Sequence, residues 1–152
     1  MAMMAAKALV DTNILLRAYH DTFSEHKRVR ALFDRMLDED YELWISRQVI
    51  REYLVQVTHP KTFAEPLSID TALQQLERIT RICRVADETA QVTAQLFALL
   101  KAYPAQGKQV HDTNIVATML VYGIDTLLTL NIDDLKRFED KIKIVSLEEE
   151  TP

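Results

Sequence analysis

Ala8-Leu9-Val10 is a short apolar run closed by Asp11 and followed at once by a helical pattern, Thr12 to Tyr19. A run that short does not make a helix of its own, so it reads as a buried strand feeding a helix. The unit recurs along the chain. Glu42-Leu43-Trp44-Ile45 leads into a helix opened by Ser46, and Thr126 to Leu130 leads into Asn131 to Phe138. Strands that alternate with helices imply an α/β fold, with a parallel sheet covered on both faces. In such sheets ligands bind at the carboxyl ends of the strands. An acid placed there, as Asp11 is, becomes a candidate site residue.

The remaining elements follow from the same periodicities. A helix is expected from Ser24, as N-cap, to Leu37, with Val29, Leu32, Phe33, Met36 and Leu37 at helical spacing. Asp38-Glu39-Asp40 reads as a solvated turn. The helix from Ser46 runs to about Thr58, with Ile50, Tyr53, Leu54 and Val57 inward, and His59-Pro60 stops it. Ser68 to Thr80 is a helix through Ile69, Leu73, Leu76 and Ile79. A short strand is favoured at Arg81 to Val85. Asp87 caps a helix to about Tyr103, with Val92, Leu96, Leu99 and Leu100 inward. His111 to Tyr122 is closed by Gly123, the residue expected just past a helix end. Ile142 to Val145 is the last strand, and Glu148-Glu149-Glu150 reads as a frayed tail.

The length of 152 residues fits a single domain over residues 1–152 with a proper core. No apolar run approaches the roughly 20 residues that span a bilayer. Met1 to Lys7 is too short to be a secretory signal, and Cys83 is the single cysteine, so a cytoplasmic setting is expected. The net charge of −5 excludes a tight, non-specific polyanion binder. It is compatible with a carboxylate-rich site for metal cations, and any nucleic-acid contact must come from a local patch.

Four acids carry the chemical argument. Asp11 follows the first strand; its alternative role is to N-cap the next helix. Asp112 lies near the middle of the face formed by Ile115, Val116, Met119, Leu120 and Tyr122, at about 100° per residue. A carboxylate pointing coreward needs hydrogen bonds, a cation or a metal; an N-cap role is the alternative. Glu52 sits on the flank of its apolar stripe, where a half-exposed helix glutamate is the plainer reading. Asp134 lies in the cluster Asn131-Ile132-Asp133-Asp134 after a strand, where Asn131 and Asp134 also resemble a capping pair. Taken jointly, the four suit a hard cation such as Mg²⁺ or Mn²⁺, which takes oxygen ligands and relieves carboxylate repulsion. Two metals about 4 Å apart can activate water and stabilise a leaving oxygen in phosphodiester hydrolysis. His20, His26, His59 and His111 are scattered and read as surface or loop residues.

Four segments resemble the PIN-domain nucleases, close to the VapC-type toxins. They are Val10-Asp11-Thr12-Asn13, Ser46 to Glu52, His111 to Ala117 and Leu128 to Leu135, in this order, and the resemblance runs from Lys7 to Val145. It implies a three-layer α/β/α sandwich with a central parallel sheet, and RNA cleavage dependent on Mg²⁺ or Mn²⁺. It also implies Asp11, Glu52 and Asp112 as an acidic triad with Asp134, rather than the adjacent Asp133, as the fourth acid. Asn13, Ser46, Thr113, Thr129 and Asn131 match supporting polar positions. A homodimer and a small antitoxin partner are implied by the resemblance alone.

The residues themselves set out Arg17, Lys27, Arg47 and Arg51 as candidate RNA contacts, against a reading as ordinary solvated charges. A haloacid-dehalogenase-like phosphatase would need a second acid two residues after Asp11, where this chain has Asn13. A receiver domain would need an acceptor Asp mid-chain and a Lys after a later strand, and this chain does not place that pair convincingly. A non-catalytic PIN-like module binding RNA or protein is the remaining alternative, and loss of one of the acids would have favoured it.

Overall fold

The computed structural model describes residues 5–147. Its elements, in chain order, are β1 (Lys7–Val10), α1 (Thr12–Tyr19), α2 (His26–Asp38), β2 (Glu42–Ser46), α3 (Arg47–Val57), α4 (Ile69–Ile82), β3 (Arg84–Ala86), α5 (Ala90–Ala102), α6 (Gln109–Tyr122), β4 (Thr126–Leu128), α7 (Ile132–Leu135) and β5 (Lys143–Val145). A 3₁₀ turn, Lys136–Phe138, follows α7.

The five strands form one parallel sheet in the order β3-β2-β1-β4-β5. The chain winds outward from β1 to β3, then returns to the other side of β1. Right-handed crossovers therefore put α1 to α4 on one face and α5 to α7 on the other. The packing agrees: α1 contacts α2 and α3, α3 contacts α4, and α5 and α6 pack together. Ala8, Leu9 and Val10 are all fully buried, although successive side chains point to opposite faces, so both faces are covered. The expected three-layer α/β/α sandwich is the observed architecture. Among the described residues no helix is long and apolar enough to cross a membrane.

The reversal of strand order falls between β1 and β4. That is the topological switch point, where the crossovers diverge and leave a crevice at the carboxyl ends. Asp11 follows β1 there and Thr129 follows β4.

Several boundaries differ from the sequence expectation. α2 starts at His26 behind Glu25, and Ser24 turns its hydroxyl to the Glu25 carboxylate instead of capping. α4 continues to Ile82, so β3 begins only at Arg84. Its buried stripe is Ala72, Leu76, Ile79 and Cys83; Ile69 and Leu73 lie on the flank and are exposed. Thr89, not Asp87, caps α5 by accepting the Val92 N–H, since the helix begins only at Ala90; Asp87 pairs with Arg47 instead. β4 stops at Leu128, and Asn131 gives α7 no side-chain cap. Gly123 does end α6, in the left-handed region at φ 66° that glycine adopts freely. The expected frayed tail at Glu148-Glu149-Glu150 lies outside the described residues.

Candidate active site

The residues around the switch point are held by bonds from four different segments. Asp11 leaves β1 with its N–H donating to the Leu128 carbonyl at 3.0 Å, which extends the β1–β4 pairing by one step. Its Oδ1 accepts the Thr12 N–H at 2.8 Å, so the expected capping role is real. Its Oδ2 is aimed elsewhere: it accepts from Thr129 Oγ1 at 2.8 Å and from Asn13 Nδ2 at 3.3 Å. Capping thus engages one oxygen and leaves the other facing the crevice.

Asn13 completes the link between the two strand ends. Its Oδ1 accepts the Leu130 N–H at 3.0 Å, and Thr129 Oγ1 accepts the Asn131 N–H at 3.0 Å. The loop after β4 is therefore fastened to the first turn of α1.

Glu52 comes from α3, one helical turn after Gln48. Its Oε2 accepts from Thr12 Oγ1 at 2.7 Å and its Oε1 from Gln48 Nε2 at 2.8 Å. Asp112 arrives from the opposite layer, in the first turn of α6. It does not cap that helix, whose N-cap position is Lys108 with no side-chain bond.

Asp11, Glu52 and Asp112 line one pocket of about 350 Å³, with Thr12, Asn13, Arg17 and Asn131. A larger cleft of about 780 Å³ is lined by the rings of Tyr19, His20, Phe23 and Phe63 among others, with Asp21 and Glu65 beside them, and lies away from the strand ends that carry Asp11.

The electrostatics follow from the gathering of like charges. Burial, then repulsion from Asp11, Asp134 and Glu52, pushes the Asp112 carboxyl up to about 6. Burial also raises Asp11. Hydrogen bonds from Thr129, Thr12 and Asn13 pull it partway back, and the Glu52 charge adds to the rise. Asp134 is exposed in the first turn of α7, outside the pocket lining, but its charge reaches Asp112.

These acids offer oxygen donors only, the chemistry a hard divalent cation takes. Burial is the larger cause of the Asp112 shift, but its neighbours' charges add to it, and a cation offsets that part, so the donor set fits a metal. Among the described residues, no three carboxylate, imidazole or thiolate groups already converge on one point. The acids share a pocket without sharing a coordination sphere.

The other expected residues fall into two groups. Asn13 and Asn131 line the pocket, and Thr129 is buried and bonded to Asp11. Ser46 is buried and caps α3 through the Val49 N–H, and Thr113 is buried and donates to the Gln109 carbonyl. Both shape the helices that carry Glu52 and Asp112; these two bonds run to backbone, not to the acids. Of the cations, Arg17 reaches the pocket, donating to the Asn13 carbonyl and pairing with Glu25. Arg47 and Arg51 are exposed and paired with Asp87 and Glu88, and Lys27 is exposed on α2. No histidine lines the pocket among the described residues. The expectation did not assign roles to Thr12, Gln48 or Asn114. A signal existed for Gln48, which lies four residues before Glu52 on the same helix face.

A parallel sheet of this strand order, with carboxylates lining a pocket at its switch point, defines a class of α/β proteins with an acidic crevice at the strand ends. The PIN domain family profile matches residues 8–141, and the chain belongs to that family. It is similar to Ribonuclease VapC48 of Mycobacterium tuberculosis, with 26% identity over 131 residues, covering 85% of this chain and 90% of the relative. Its fold is similar to a toxin–antitoxin complex from Klebsiella pneumoniae (TM-score 0.63, 21% identity, 92% of this chain and 97% of the other). It is also similar to VapC20 of Mycobacterium tuberculosis, described as a sarcin–ricin loop cleaving toxin (TM-score 0.63, 17% identity, 86% and 94%).

Proposed function

We propose that the protein is an endoribonuclease that hydrolyses RNA phosphodiester bonds with Mg²⁺ or Mn²⁺. We place it as the toxin of a toxin–antitoxin pair. The observation that carries this is the pocket at the switch point of a PIN fold that Asp11, Glu52 and Asp112 line together. The ribonuclease named above supports the activity. The toxin–antitoxin complex and the loop-cleaving toxin support the biological role.

Asp11, Glu52 and Asp112 would hold the first cation, directly or through water, with Asp134 completing a second site or binding its water. When bound, the cation supplies Lewis acidity, lowering the pKa of water and stabilising charge on the leaving oxygen. The protein's own residues supply placement. Thr129 and Asn13 orient Asp11, Thr12 orients Glu52, and Asn131 closes the pocket on the β4 side. No general-base side chain is required, consistent with a pocket that no histidine lines among the described residues. Arg17 is the cation placed to meet a phosphate; Arg47 and Arg51 must first leave Asp87 and Glu88, which costs little for exposed pairs.

The unit is a single PIN-like domain over residues 1–152, working in the cytoplasm as a homodimer with a small antitoxin protein as its partner. The non-catalytic binding module is disfavoured because all four acids are present. The test is cleavage of a mixed panel of structured and single-stranded RNAs. Cutting that stops with EDTA and returns with Mg²⁺ or Mn²⁺ supports the proposal. A folded protein that neither binds these ions nor cuts RNA contradicts it.

A further inference from the structure

Gln48 is 5% exposed, and both polar atoms of its side-chain amide are engaged. Nε2 donates to Glu52 Oε1 at 2.8 Å and to the His111 carbonyl at 3.2 Å. Oε1 accepts from Asn114 Nδ2 at 3.0 Å. The partners fix the way the amide faces: a carboxylate and a carbonyl only accept, and an amide nitrogen only donates. Glu52 lies on the same helix as Gln48. His111 and Asn114 flank Asp112 on α6, which belongs to the opposite layer. One side chain therefore spans from the acid on α3 to the turn that presents Asp112.

The geometry points to Gln48 as a positioning residue that sets where Glu52 stands relative to Asp112, so that both carboxylates face one cation. This rests on the metal-dependent reading above. Glu52 is a long side chain repelled by neighbouring carboxylates, and unbraced it swings toward solvent. Thr12 holds one of its oxygens and Gln48 the other, and each oxygen keeps lone-pair capacity for an ion. Packing does not require an amide here, since a methionine of similar length covers the same surface. The amide adds three bonds, all directed at the two acid-bearing segments.

The test is Gln48→Met, which keeps the length and removes the bonds. Removing a partner that orients a metal ligand typically costs about 10–100-fold in metal affinity or activity. Mn²⁺ binding followed by electron paramagnetic resonance is expected to weaken by about that factor, with kcat on RNA falling in parallel and KM within about threefold. A merely structural residue would lower the melting temperature and leave Mn²⁺ affinity and kcat of the folded fraction unchanged. Asn114→Ala loosens the amide without touching Gln48 or an acid, and decides the matter if Gln48→Met does not fold. It is expected to weaken Mn²⁺ binding in the same direction by a smaller factor. Folded variants that bind Mn²⁺ as the parent does overturn the assignment. If the parent binds no Mn²⁺ and cuts no RNA, the proposed function fails, and the brace is judged separately by a crystal structure of Gln48→Met. Glu52 displaced from the Asp112 turn supports it; Glu52 unmoved overturns it.

Discussion

Thr12 donates its hydroxyl to Glu52 at 2.7 Å, across 40 residues of sequence, so the first turn of α1 holds an acid that α3 carries. The same residue gives its N–H to Asp11. One threonine thus orients two of the carboxylates, with its backbone and its side chain. Thr12→Val keeps the shape and the N–H and removes the hydroxyl bond. We expect about 10–100-fold lower kcat with Asp11 geometry retained, measured as single-turnover RNA cleavage at saturating Mg²⁺.

Asp112 makes the metal-free protein sensitive to pH in a direction opposite to most carboxylates. Its folded pKa is raised from 3.8 to about 6. The stability it contributes is therefore full below about 3.8 and is lost as pH rises through about 6. Urea denaturation of metal-free protein at pH 5 and pH 7 is expected to show a larger loss in the parent than in Asp112→Asn, whose neutral amide does not titrate. A divalent cation reverses the sign, because it binds the ionised form, and its affinity rises with pH over the same window.

Cys83 is buried at the end of α4, and burial pushes its thiol up to about 12. The thiolate is the reactive form, so the native thiol is inert at neutral pH. A chromogenic disulfide reagent is expected to react with Cys83 only under denaturant, at the rate of unfolding. Fast labelling of the native protein contradicts the burial described here.

Leu9 stands at the centre of the sheet with no exposed surface. It lies one residue from the strand end that delivers Asp11. Leu9→Ala is expected to cost about 2–5 kcal/mol, read from urea denaturation. Since β1 pairs with both β2 and β4, the loss is global rather than local.

The layers, and the placement of Asp11 and Asp112, were legible in the sequence for local reasons; Asp134 was expected at the site and stands outside the pocket lining. Ala8 to Asp11 is one short buried strand with its acid attached, and Asp112 declares itself through the apolar face it shares with Ile115, Val116 and Met119. What was not legible depends on pairing across the chain. The spacing of Gln48 from Glu52 is local, but its bonds to α6 show only once His111 and Asn114 are brought beside it, across 63 and 66 residues. Asp87 was read as the cap of α5, but the helix starts only at Ala90, so Thr89 holds the N-cap position while Asp87 pairs with Arg47. Asn131 looked like a cap by spacing, yet its N–H is taken by Thr129 and its side chain caps nothing. The stripe of α4 was misplaced at Ile69 and Leu73 because one apolar residue in a helix fits two adjacent faces. Its neighbours Ala72 and Cys83 decided which face was buried.

The most direct test is RNA cleavage by Asp112→Asn beside the parent, at equal protein and Mg²⁺ or Mn²⁺ concentrations, with folding checked by circular dichroism. The substitution keeps the shape of the side chain and removes the charge that the other three acids act upon. A folded variant that has lost metal-dependent cutting is the predicted result. Undiminished cutting by the variant would contradict the assignment of this pocket as the centre of the chemistry.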